Sequence, residues 1–265
     1  MNPLITSDAT LRLYITNALC TVEGEDTLFE RIKHELTIAQ QWFEREFPLT
    51  HVTEPEHIEL ATKAIAYHAY ALAIPSLDLV LTPTGFGVVN NDNTVPASKD
   101  RVASLIANCY QVRDNVIQTL ITILDQDATW RSTDGKRWRS TLFLGLDAQI
   151  RQQDKDVFSL YQSQHEDLVN FERKIGYEYI SQELMARLRS GDNLSEIEKV
   201  LLSRLQHICL EHLSKGTTDT ASLIACVNTI RNNASLNAIW APTITGHLYK
   251  DYTFKNDKNS GGFWL

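Results

Sequence analysis

The segment Trp130-Arg131-Ser132-Thr133-Asp134-Gly135-Lys136-Arg137-Trp138-Arg139 sets four bases and two indoles close together. Arg and Trp anchor protein interfaces, because each joins a broad flat face to directed donors. Cations interleaved with aromatic rings also grip phosphates and stack on bases. A third reading is a packed connection between domains with the indoles as core. The pattern leaves all three open and nominates Trp130, Arg131, Lys136, Arg137, Trp138 and Arg139 as interface candidates. A second group lies near the end of the sequence. Tyr249, Tyr252, Phe254, Phe263, Trp264 and Leu265 are spaced through polar, glycine-bearing residues, Lys255 to Gly262. Aromatic side chains on an extended arm are costly unless covered. The arm docks either on its own domain or, the preferred reading, on another subunit by strand addition or pocket insertion.

A third group is apolar. Leu77, Leu79 and Leu81 alternate with Asp78, Val80 and Thr82, Thr82-Pro83-Thr84-Gly85 reads as a turn, and Phe86 and Val88 resume the alternation. This predicts a β-hairpin over 77–89. An isolated hairpin is marginal in water. It must pack on helices or pair its edge with a neighbouring chain, so Leu77, Leu79, Leu81, Phe86 and Val88 are interface candidates.

Reactive chemistry is sparse. The sequence has no Gly-Lys-Ser/Thr phosphate loop, no Gly-x-Ser-x-Gly elbow and no His-Glu-x-x-His. Cys20, Cys109, Cys209 and Cys226 are far apart, without the close pairs zinc needs, and read as small buried apolar residues. His207 and Glu211 share a helical face four residues apart, while His212 points elsewhere, and no partner helix supplies further ligands. Carboxylates at 54/56 and 196/198 fit helix caps. No catalytic, cofactor or metal residues are expected, and the chain reads as non-enzymatic.

Composition sets the frame. The 265 residues are 43% apolar, 22% charged and 9% aromatic, which excludes collagen, a disulfide knot and wholesale disorder. With 33 acids against 25 bases the formal charge is −8, which argues against a polybasic nucleic-acid binder. Met1-Asn2-Pro3-Leu4 shows no basic leader pattern, and no apolar run approaches the roughly 18 residues of a membrane span.

The elements that would carry these groups are helical. Apolar spacing predicts helices over 8–20, 27–47, 53–74, 97–126, 167–189, 195–213 and 219–233, with a weaker one at 153–164. Pro48 and Pro75 are read as stops. Thr53-Glu54-Pro55-Glu56 and Ser195-Glu196-Ile197-Glu198 read as capping boxes. Beyond Ala234 the helical period is lost. The fold class is therefore mainly α: helical bundles with one inserted hairpin and an extended C-terminal arm. The expected organisation is a helical domain at 1–126, a linker at 127–140, a second helical domain at 141–233 and the arm at 234–265. Sliding the chain by 142 residues aligns Phe29-Glu30-Arg31 with Phe171-Glu172-Arg173 and the two boxes with each other, eight identities across 28 positions. A duplicated helix-pair unit and the ordinary likeness of helix pairs both account for this.

The short helix Leu11–Leu19, the break Glu23-Gly24-Glu25-Asp26, the long helix Leu28–Phe47 and the Ala-rich helix Ala61–Ile74 resemble, over about residues 8–125, the helical head–tail connector (neck adaptor) proteins of tailed bacteriophages. The stretches Pro75–Asn93 and Pro96–Val102 and the ending Phe254–Gly261 are similar to an extended, uncharacterised phage and prophage group that goes with that class. Such a resemblance implies a virion neck protein, made in the host cytoplasm. It would form a homo-oligomeric ring of about twelve copies between portal and tail. Its partners would be portal and neck proteins, with no catalysis, cofactor or membrane. Genome DNA would pass the lumen without specific binding, which net acidity suits. Simple connectors are about half as long, so the resemblance assigns no role to the second half. The competing reading is a bacterial scaffold or ligand-binding protein with a site between the two halves.

Overall fold

The computed structural model describes residues 3–16, 26–77, 79–82, 85–88, 98–152 and 156–250, the two strands among them by backbone alone. The chain is mainly helical and divides into two compact units, Met1–Glu166 and Asp167–Leu265. Among the described residues no helix is long and apolar enough to cross a membrane.

The first unit opens with α1 (Asp8–Arg12), capped by the Ser7 hydroxyl. The helix expected over 27–47 is two helices, α2 (Leu28–Arg31) and α3 (Lys33–Glu46). They meet at Ile32, whose φ of −109° lies off the helix while its side chain is fully buried. Thr27 and Glu30 form a reciprocal capping box at the start of α2. The next helix, α4 (Pro55–Leu77), starts one residue later than the box at Thr53 would require. Pro55 takes the first helical position, where its missing N–H costs nothing, and the Glu54 carbonyl accepts from the Ile58 amide. The aligned boxes thus differ in register, since Ser195 does cap its helix.

Pro75 does not stop α4, which continues to Leu77 with the proline exposed. Only the last turn lies beyond it, and the Ser76 hydroxyl bonds the Ala73 carbonyl there. Strands β1 (Leu79–Thr82) and β2 (Gly85–Val88) pair antiparallel, Leu79 opposite Val88 and Thr82 opposite Gly85. The long helix α5 (Lys99–Leu124) follows, and α4 packs chiefly against α5 and α3. The Ala-rich stretch explains this packing: Ala61, Ala64, Ala66, Ala69 and Ala73 are all buried and let neighbouring helices approach closely. Phe43, Ile65, Ile117, Leu120 and Ile121 fill the space they leave.

Residues 127–140 are not a linker. They form α6 (Ala128–Ser132) and a 3-10 segment (Asp134–Arg139) whose tryptophans belong to the first unit's core. Then come α7 (Asp147–Ile150) and α8 (Val157–Ile175), one continuous helix where two were expected. The boundary between units falls within α8, not at 127–140.

In the second unit α8 passes into a π-helical turn (Gly176–Ile180) and then α9 (Gln182–Ser190). Ser181, at φ 78°, holds the left-handed backbone between them, and its hydroxyl caps α9. Helices α10 (Glu196–Lys215) and α11 (Thr220–Arg231) pack together, Gly216 ending α10 at φ 66°. The expected arm is partly helix: α12 (Ala234–Trp240) and α13 (Ile244–Leu248) follow, capped by Asn233 and Thr243. They are too short to show a period but are started by local side-chain caps.

Enlarging the α4 interface should be costly. Ala69→Leu is expected to lower the unfolding free energy by about 1–3 kcal/mol, whereas the exposed Leu72→Ala should change it by about 0.5 kcal/mol or less. Urea denaturation followed by circular dichroism checks both; equal effects would contradict this packing.

Candidate functional site

The basic, Trp-bearing segment is built inward. Asp127 accepts from the Thr129 amide and starts α6, which turns Trp130 into the core. At Gly135 the backbone lies against that indole, leaving no room for a side chain: a Cβ would sit 2.4 Å from Trp130 Cε3. Trp138, 1% exposed, stacks between Phe47 and Tyr161, each ring 5.2 Å away. The bases answer buried carboxylates. Arg139 reaches both oxygens of Asp125, Arg131 donates to the Asp125 carbonyl, and Arg137 donates to the Glu46 carbonyl and carboxylate at 2.6 and 2.7 Å. Asp125 and Glu46 are themselves largely buried, so these cations neutralise carboxylates that could not stand alone. Of the six residues nominated here, Trp130 and Trp138 are core and three arginines have internal partners, so the segment packs within the first unit rather than connecting two domains. Lys136 is exposed.

The densest polar cluster, which the sequence did not flag, surrounds Arg113 and Asp114 on α5. Arg113 is 2% exposed and Asp114 1%. Arg113 donates through Nε to Asp114 (2.7 Å) and through Nη2 to Asp156 (2.7 Å). Its Nη1 lies 2.9 Å from His68 Nδ1. A guanidinium only donates, so Nδ1 accepts and the imidazole proton sits on Nε2. Aromatic rings close the remaining sides: Cζ is 4.4 Å from the Tyr110 ring centre and 5.3 Å from that of Trp42. Trp42 in turn stacks on His68 at 4.3 Å.

Asp114 also accepts from the amides of Val157 (2.9 Å) and Phe158 (3.3 Å), the first turn of α8, while Asp156 caps it through Ser159. The cluster thus pins the start of α8 to α4 and α5. Burial pushes the Asp114 carboxyl up to about 6, against the pull of Arg113. Burial, aided by the Arg113 charge, pushes His68 down to about 3. Asp156 is raised by burial, but Ser159 and Arg113 bring it below the usual carboxylate range. The Arg113 Nε, Nη1 and Nη2 atoms each have a partner here, so the guanidinium ties α4, α5 and the start of α8 together.

Among the described residues Ser140 and His165 make a serine–histidine contact, Oγ to Nε2 at 3.1 Å. The Ser140 hydroxyl donates its single proton to the Arg137 carbonyl at 2.6 Å. It therefore accepts from the imidazole, the reverse of what a base activating a nucleophile requires. Burial and the nearby Arg137 lower the His165 pKa. His207 lies 4.0 Å from Glu211, which is bonded to Lys215, and His212 stacks on Phe171 and faces Asp167. Among the described residues no group of three or more His, Cys, Asp or Glu could hold a metal ion. Glu198 completes the cap at Ser195 and is bonded by Arg187, which holds its carboxyl down to about 2. Cys109, Cys209 and Cys226 are buried with raised thiol pKa values, Cys109 at about 11, while Cys20 lies outside the described residues.

The other nominated residues divide differently. Leu77 is half-buried against the first unit's core, and its carbonyl accepts from Arg31. The side-chain contacts expected of Leu79, Leu81, Phe86 and Val88 lie outside the description, as do Tyr252, Phe254, Phe263, Trp264 and Leu265 altogether. What the sequence missed is exposed: Ile244 is 87% exposed and Leu248 68%, one turn apart on α13, with Tyr177 63% exposed on the neighbouring π turn. Their signal was the four-residue spacing behind Thr243, hidden in a segment too short for periodicity.

Residues 10–140 match the model of a family of unknown function, DUF6712. The match stays within the first unit. Neither the curated proteins nor the solved structures include a match to the chain.

Removing the Arg113 charge (Arg113→Met) leaves two carboxylates facing each other in the core and should cost about 3–5 kcal/mol, seen as a lowered urea midpoint. His68→Asn keeps an acceptor near Nδ1 and removes the titration. A base whose pKa is lowered by folding takes up its proton on unfolding. Its contribution is therefore full above pH 6.5 and falls as pH drops toward 3. The stability difference between wild type and His68→Asn should shrink across that window, and a difference independent of pH would contradict the buried neutral imidazole.

Proposed function

We propose that the chain is a structural assembly protein, a ring-forming head–tail connector or adaptor subunit in the neck of a tailed phage, between portal and tail. The observation that carries this reading is the exposed Ile244–Leu248 pair with Tyr177 beside it. Large aliphatic side chains gain roughly 1.5–3 kcal/mol each when covered. In a homo-oligomer they are covered by an identical neighbour, and a head-to-tail contact that closes by rotation yields a ring. The inward use of the arginines and of the Ser140–His165 pair is in keeping with a role in assembly rather than turnover. The net charge of −8 suits a wall past which DNA slides. The family match carries no function, so the reading rests on this surface and on the resemblance over residues 8–125.

Light scattering coupled to size exclusion, with negative-stain microscopy of the full chain, tests it. The expected result is a concentration-dependent closed oligomer, of about twelve copies in the ring form, assembling alone or on portal particles. A chain that stays monomeric at every concentration, with and without portal, would contradict the proposal.

A further inference from the structure

Helix α13 presents two sides. Gly246 presses on the Trp240 carbonyl and, with Tyr249 and Lys250, borders an asparagine-lined groove beside α11 and α12. Ile244 and Leu248 lie roughly 160–200° around the helix from Gly246 at about 100° per residue, and both stand in solvent. The Thr245 hydroxyl is hydrogen-bonded to the carbonyls of Gly176 and Tyr177, which brings the exposed Tyr177 to the flank of the same face. The result is an apolar face of three side chains on a helix fixed to the unit by its buried Thr245 and its Thr243 cap.

A matching set of apolar groups occurs in the same sequence. Phe263-Trp264-Leu265 follows Lys250 after twelve residues that include the polar spacer Lys255–Gly262. A spacer of that length reaches up to about 40 Å when extended. Lys250 borders the groove, on the other side of α13 from Ile244 and Leu248, and that face stands in solvent on its own chain, open to a neighbour's arm.

We infer that Phe263-Trp264-Leu265 of one copy docks on the Ile244–Leu248–Tyr177 face of a second copy, so that each subunit both gives and receives an arm. This rests on the assembly reading and names the surface that would carry it. Passed head to tail from copy to copy, such a contact is heterologous and closes a ring.

The test uses three full-length proteins: wild type, Ile244→Asp with Leu248→Asp, and Phe263→Ser with Trp264→Ser and Leu265→Ser. The first pair of changes falls on exposed positions, so helical circular dichroism should be unchanged. Light scattering across a dilution series should show each variant needing at least about tenfold more protein for half-assembly than wild type. An equimolar mixture of the two variants should recover one contact, giving a heterodimer that goes no further. A wild-type oligomer unaffected by either set of changes overturns this docking surface and leaves the assembly reading standing. A wild type that is monomeric at every dilution, with and without portal, overturns both. Arm residues that bind their own subunit's face would show as a monomeric wild type with a heterodimer formed only in the mixture, and this overturns the exchange.

Discussion

A guanidinium buried to 2% exposure sets the terms for the first unit. Arg113 cannot shed its charge, and an unpaired charge in a core costs several kcal/mol. Asp114 and Asp156 must therefore lie beside it, His68 must stay neutral to accept from it, and rings must close its open faces. Because Asp114 also takes the first amides of α8, satisfying the arginine fixes where α8 begins. The pairs Glu46–Arg137 and Asp125–Arg139 repeat this logic around the Trp130–Arg139 segment. Charges in these places narrow the ways α3, α5 and the 3-10 segment can pack, since a shifted register strands a buried ion.

Much of the architecture was legible. The long helices α4, α5, α10 and α11 showed in apolar spacing, and the Ser195–Glu198 box and Gly216 stop lie where local chemistry puts them. The misreadings have separate causes. Pro75 reads as a stop in the sequence, yet a proline in a last turn forfeits one hydrogen bond and the exposed ring fits. Helices α12 and α13 depend on the Asn233 and Thr243 caps, a signal spread over too few residues for a period. Four bases in ten residues left a surface and a packed segment both open, because the carboxylates that meet them, Glu46 and Asp125, come from distant or neighbouring helices. Arg113 and Asp114 passed unnoticed for the same reason: adjacent opposite charges on a helix usually face water. The site residues were thus less legible than the fold, because pairing depends on tertiary neighbours.

The Arg113 cluster and the Arg137 and Arg139 pairs turn ionic groups inward, while Ile244 and Leu248 stand in solvent. The first unit's Ser–His contact has its proton facing the wrong way, and its arginines hold carboxylates. On the second unit Ile244 and Leu248 sit on a helix held by hydrogen bonds that do not involve them. A face so fixed loses little entropy when covered, which favours its use as a contact.

The most direct test is a cryo-electron microscopy map of the full chain under assembling conditions. The account predicts a closed homo-oligomer in which Ile244 and Leu248 are covered by an adjoining copy, with Arg113 still bonded to Asp114 and Asp156. A monomer with that face in solvent and Arg113 turned to a bound small molecule would contradict it.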